Sequence, residues 1–466
     1  MTSWRNECTG RRPVHSFQKR AGPVAALLLG AAALLAPVPA AAKSAAAIPV
    51  AAPSTAGQTV ADFYRSRKGA PLWLSSAAGD AAEQLISLLS TASIDGLNSS
   101  KYQPAVLETE LQAALRKHKP KDVARADEAL SEAFVAYVDD MHRDPGFGIT
   151  YVDPQLRPTP PSPLAALLEA AAAPSLSDYV SDIGWMHPFY GELRKALAQH
   201  QYSDDHAREV LELNLQRARA LPSGKQRYVL VNAAQQRLYM YEDGKPVDNM
   251  VVVVGKTEYP TPMMAAYIRY AALNPYWYVP SDLAWDDVGQ WVKKYGFSYF
   301  QRMGYEQVSD WSKNPQILDA TKIDWDAVRD GKEQVLLRQN PGPNNFMGRI
   351  KFMFPNQFGV YLHDNPRREL FEKSVRYFSG GCVRLEDAWR LSKWLFHRDL
   401  TWEGHGTEEP VMLDQPVPVY ITYLTAVPDG QSIAYYDDAY GRDKAELAKM
   451  EGGADSATAS SVTASR

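Results

Sequence analysis

Cysteine is nearly absent: the 466 residues contain two, Cys8 and Cys382. Cys8 lies in a basic, apolar leader, so the chain beyond the leader holds one thiol. That excludes an internal disulfide and leaves the fold to its core. Histidine is scarce too, at nine residues, and His142, His187 and His200 lie apart without the spacing of metal ligands. Positive charge forms no stripe: 50 Lys and Arg stand against 54 Asp and Glu, a balance of −4, which argues against a nucleic-acid partner. After the leader, no apolar run approaches the roughly twenty residues of a membrane-spanning helix.

What is present at the start is export chemistry. Arg5, Arg11, Arg12, Lys19 and Arg20 precede an apolar run from Ala21 to Leu35, and Ala40-Ala41-Ala42 supplies an Ala-x-Ala site. These features predict a Sec-type signal peptide over residues 1–42, cleaved near Ala42. An apolar core of about fifteen residues is short for an anchor helix. Removing five basic residues and Glu7 takes the charge to −4 − (5 − 1) = −8. Residues 43–57, rich in Ala, Pro and Ser, read as a flexible linker, and 451–466 as a disordered tail.

From residue 58 to about 205 apolar positions recur at helical spacing, as in Leu107, Leu111, Ala114 and Leu115, which predicts an all-α domain. A short connecting segment, 206–226, follows. At Arg227 the period changes to that of strands: Arg227 to Asn232, Arg237 to Tyr241 and Val247 to Val254, with an Asp243-Gly244 hairpin turn between the last two. The fold class is therefore α+β and multidomain. The β-rich domain spans 227–425, with a polar, aromatic insertion over about 281–340 expected to be helical, and an extension over 426–450.

The chemistry concentrates in Tyr361-Leu362-His363 and Ser379-Gly380-Gly381-Cys382-Val383-Arg384-Leu385. A free thiol has a pKa of about 8.5 and needs a base to become a nucleophile. His363, 19 residues earlier, is a candidate for that base. Gly380 and Gly381 let backbone approach a bound carbonyl, and amides at Gly381 and Cys382 are candidates to hold an oxyanion. A helix expected from Glu386 would place Cys382 near a helix N-terminus and favour the thiolate. A second short helix is expected over Glu369 to Tyr377.

His363 followed by Ser379-x-Gly381-Cys382-Val383-Arg384 resembles the signature of L,D-transpeptidases with a YkuD-type catalytic domain. Many members carry histidine where this chain has Gly380. Asp95-Gly96-Leu97, Tyr102 and His187 to Leu193 are similar to the helical scaffold domain of the large Gram-negative members. The peptidoglycan-binding insert usual in those relatives is missing here. The resemblance implies a peptidoglycan enzyme of the periplasm, acting on tetrapeptide stems as donor and acceptor. Cys382 would be its nucleophile and His363 its general base and acid, with no cofactor and no metal; carbapenems would acylate it. Ser379 would orient the histidine or cap the turn. Tyr361, Gly380 and Trp277 would line the substrate site, and Arg384 would bind a substrate carboxylate or brace the turn against an acid. Two alternatives stay open: an L,D-carboxypeptidase, with water as acceptor, and a non-catalytic cell-wall scaffolding protein.

Overall fold

The computed structural model describes residues 59–450 apart from Lys313 and Gly404. The expected signal peptide, linker and tail lie outside the described residues.

The first half is helical, as its periodicity predicts. The longest helix, Pro120–Met141, starts with proline at its first turn and buries Ala126, Leu130, Phe134, Tyr137, Val138 and Met141 along one stripe. Phe134 packs its ring edge-on against Trp185, with centroids 5.2 Å apart. Asp95 is a polar hub in this core. Fully buried, its carboxylate accepts from Tyr137 Oη at 2.7 Å, Tyr190 Oη at 2.6 Å and Arg194 Nε at 2.8 Å. Gly96, with φ +71°, ends the short helix that presents it. His187 is also explained locally. Its Nδ1 accepts from the Phe189 amide at 3.1 Å and caps the helix Pro188–Ala198, and burial pushes its pKa down to about 3. It is a neutral cap.

The connecting segment is itself a packed helix, Asp205–Ala218, with Asp204 accepting from the Ala207 amide at 2.8 Å as N-cap. Its Arg217 is buried against Asp443 at 2.5 Å and donates to the Tyr423 carbonyl at 3.1 Å. Helical residues share one apolar core with Tyr228, Leu230, Tyr241 and Tyr420 of the β-rich half. A two-residue strand of the helical half, Thr150–Tyr151, pairs in parallel with Met264–Leu273.

The β-rich half is a closed ring of strands. Met264–Leu273 pairs with Ile350–Met353, then come Leu362–His363, Val383–Leu385, Lys245–Gly255, Arg237–Glu242, Tyr228–Asn232 and Glu409–Thr422, which pairs back to Met264–Leu273. The Asp243-Gly244 turn has both residues at positive φ, +49° and +74°, as a two-residue hairpin requires. The insertion differs from the expectation of helices alone. It is a subdomain with short helices and its own four-stranded sheet of Trp277–Val279, Leu337–Gln339, Tyr305–Val308 and Ile317–Leu318. Strands of two to four residues are too short for an alternating pattern to register. The extension forms a hairpin, Ala426–Asp429 with Ser432–Tyr435, then a helical run over 442–450. Among the described residues no helix is long and apolar enough to cross a membrane.

Candidate active site

Strand register assembles the site. His363 pairs with Lys351 on one side and with Arg384 on the other, so these three side chains stand in a row on one face of the sheet. The Val383 amide donates to the Tyr361 carbonyl at 3.0 Å. Alternation then puts Tyr361, two before His363, and Cys382, two before Arg384, on that same face. The histidine and the cysteine are thereby delivered to one surface by adjacent parallel strands, with one pairing step between them.

The turn that carries Cys382 is braced from within and from below. Ser379 Oγ donates to the Cys382 carbonyl at 2.5 Å and accepts from the Gly381 amide at 3.1 Å. Ser379 is thus a turn cap, and it takes up the Gly381 amide that sequence reasoning offered to an oxyanion. Buried Thr261 donates to the Gly381 carbonyl at 2.8 Å and accepts from the Gly255 amide at 2.9 Å. Gly381 has φ +113°, a conformation that favours glycine. A β-carbon at Gly380 would lie 2.5 Å from Leu283 Cδ1 of the insertion. Leu283 occupies the space that a side chain here would need, which accounts in packing terms for glycine at this position.

Cys382 does not sit at a helix start. It leads into the strand Val383–Leu385, and the helix Ala388–Phe396 begins later, capped by Asp387 on the Arg390 amide at 2.9 Å. The expected dipole assistance therefore has no helix behind it. The stretch expected to be helical over 369–377 holds only the short turn Arg368–Leu370, followed by the strand Tyr377–Ser379. The half-buried thiol lies 3.7 Å from the Gly359 carbonyl. Burial pushes its pKa up, opposed by a backbone hydrogen bond at Tyr361 and by the charges of Arg384 and Lys351.

His363 is buried, and its Nδ1 lies 2.6 Å from the Asp364 carbonyl. That contact requires a proton on Nδ1 and leaves the lone pair on Nε2. Burial, then the charges of Arg384 and Lys351, bring its pKa down to about 3, against the backbone carbonyls of Asp364 and Met347. Asp364 is itself pinned, accepting from the Arg349 amide at 3.0 Å and from Arg368 at 2.7 Å. At neutral pH the resting pair is thus imidazole and thiol. Alkylation of Cys382 by iodoacetamide should accelerate through one ionisation above the ordinary cysteine pKa of about 8.5, with no step near 6.5. A step near 6.5 in the pH–rate profile would instead indicate a thiolate–imidazolium pair.

Other expected residues divide. Tyr361 is half-buried, and burial followed by the charge of Cys382 raises its pKa. Arg384 carries a buried Nε without a hydrogen-bond partner, and its pKa is lowered by burial although Asp287 of the insertion pulls it back up. Trp277 is not on the cleft wall. It is 8% exposed and belongs to the core of the insertion, packed on Phe346 with centroids 5.0 Å apart. Its neighbour Tyr278 has the outward role: its hydroxyl donates to Glu408 Oε2 at 2.8 Å, and Lys351 Nζ lies 5.5 Å from its ring centre. Lys351, Asp364 and Glu408 escaped sequence reasoning because none belongs to the local motif. Among the described residues no cluster of His, Cys, Asp and Glu could hold a metal.

A family model for the L,D-transpeptidase catalytic domain, YkuD, matches residues 226–421, and a model for a scaffold domain matches residues 58–197. The chain thus carries a YkuD-type L,D-transpeptidase catalytic domain preceded by a scaffold domain. It is similar to the Haemophilus influenzae protein named "Putative L,D-transpeptidase", 26% identical over 406 residues, which is 83% of this chain and 78% of that one. Among solved structures it is similar to an L,D-transpeptidase from Mycobacterium smegmatis, at 14% identity and TM-score 0.20, over 42% of this chain and 58% of that one. It is also similar to the catalytic domain of the E. faecium enzyme, at 16% identity and TM-score 0.19, over 42% of this chain and 97% of that one. The chain spans less than two thirds of the M. smegmatis structure.

Proposed function

We propose that this chain is a periplasmic peptidoglycan L,D-transpeptidase that makes 3→3 cross-links through a thioester on Cys382. The observation that carries the reading is the shared face of Tyr361, His363, Cys382 and Arg384 on adjacent strands. The donor is a tetrapeptide stem ending in a diamino acid and D-alanine. Cys382 turns from the Gly359 carbonyl towards His363 Nε2, gives up its proton and attacks the L-centre carbonyl of the diamino acid. The Cys382 amide takes the oxyanion, since Ser379 holds that of Gly381. Donors of this kind are worth about 2.7–4 kcal/mol of barrier each. His363 then protonates the departing D-alanine amine. Arg384, half-buried on this face and within the field of Asp287, either offers its planar fork to a substrate carboxylate or braces the turn against that acid. An amine of a neighbouring stem resolves the thioester.

The test is incubation of the purified protein with disaccharide-tetrapeptide, read by mass spectrometry. Dimers formed with loss of D-alanine are expected. Tripeptide alone would make the protein a carboxypeptidase, and absence of any adduct or product would favour a scaffolding role. A meropenem adduct on Cys382 in the same assay would bear on the carbapenem expectation.

A further inference from the structure

The mechanism above leaves Glu408 without a part, although it is built into the catalytic face. Its backbone has φ +56°, a region that side chains other than glycine seldom adopt and that clusters at functional sites. Its Oε1 accepts from Lys351 Nζ at 2.6 Å and its Oε2 from Tyr278 Oη at 2.8 Å. Lys351 is the residue opposite His363 in the sheet, and its Nζ lies 5.7 Å from the ring centre of Tyr361. Tyr361 in turn adjoins Cys382. The carboxylate therefore stands on one side of His363, by Lys351, while Arg384 stands on the other.

An ionised carboxylate has about four lone-pair directions, of which Lys351 and Tyr278 use two, and the Glu408 side chain is 25% exposed. A third donor can reach it from solvent. We infer that Glu408 receives the acceptor of the reaction, a primary ammonium on the diamino acid of a second stem; this rests on the transpeptidase reading above. An ammonium must lose a proton before it can attack, and it needs an anionic landing place close to the thioester. Its nitrogen gives one proton to Glu408 and forms the new C–N bond at the thioester carbonyl as the C–S bond breaks. The sulfur takes the second proton from that nitrogen through His363, and Glu408 returns its own to solvent. Water needs no such landing place, so Glu408 would bias the outcome towards cross-linking over hydrolysis. The competing account is a strap, in which Glu408 only ties Tyr278 of the insertion to Lys351 of the sheet.

Glu408→Gln keeps the shape and removes the charge. Full-length wild type and variant, matched for melting temperature, would be given disaccharide-tetrapeptide, and the acyl-enzyme, dimer and tripeptide followed by mass spectrometry. The acylation rate should stay within about twofold while the dimer-to-tripeptide ratio falls at least about tenfold, and higher tetrapeptide concentration should restore it. An unchanged ratio overturns the inference, as does a parallel loss of acylation and dimer, which is the strap's signature. If wild type forms acyl-enzyme but no dimer, or no acyl-enzyme at all, the transpeptidase reading itself fails and this inference falls with it. Should Glu408→Gln lower the melting temperature, Glu408→Asp, which keeps the charge but draws it back by one methylene, must still lower the ratio.

Discussion

Cys382→Ala is expected to eliminate turnover while leaving the urea midpoint where it was. The sulfur's polar contacts are weak, 3.7 Å from the Gly359 carbonyl and beside the Tyr361 backbone, so little folding free energy rests on them. The turn that carries it is held by Ser379 and Thr261, whose hydrogen bonds go to backbone atoms and survive the change. Removing a nucleophile from a working pair costs on the order of 10⁶-fold in kcat. Product release from disaccharide-tetrapeptide, with the denaturation curve run in parallel, checks both halves of the expectation. Retention of more than about 1% of the rate, far above the loss expected of a missing nucleophile, would move the chemistry away from Cys382.

The second large effect is on stability and lies far from the thiol in sequence. Asp95→Ala should destabilise the protein by about 3–5 kcal/mol, the usual cost of leaving one partner of a buried ion pair alone. Arg194 would keep its charge in a core position, where its side chain is 10% exposed, and the hydroxyls of Tyr137 and Tyr190 would lose their acceptor. Chemical denaturation followed by tryptophan fluorescence would report it, since Trp185 packs on Tyr137 with centroids 6.1 Å apart. A loss under about 1 kcal/mol, the scale of a surface ion pair, would mean that the hub is solvated in the native ensemble.

How much was legible follows from how local each feature is. Helix periodicity, the change to strands near Arg227 and the Asp243-Gly244 turn are short-range patterns, and the structure has them close to where they were read. The pairing of His363 with Cys382 is an expectation from motif and spacing; strand register pairs His363 with Arg384 and puts Cys382 on the same face. The misreadings share one cause. Trp277 is expected at the substrate site and is found in the insertion's core, because its burial depends on which face of a three-residue strand meets that core. The dipole assigned to Cys382 failed because the strand Val383–Leu385, fixed by neighbours more than a hundred residues away in Lys245–Gly255, intervenes before the helix. Lys351 and Glu408 meet across 57 residues, and no local pattern records such a pair.

The two-residue strand Thr150–Tyr151 bears on how the protein can be handled. It covers backbone of Met264–Leu273 that would otherwise be an open edge, and open edges invite intermolecular pairing. A fragment begun at residue 226 would bare that edge, and with it the faces of Tyr228 and Tyr420 that pack on the helices. Trimming to the catalytic domain, a common first step towards crystals or inhibitor screens, is therefore a route to aggregates for this chain, and the helical half is better kept.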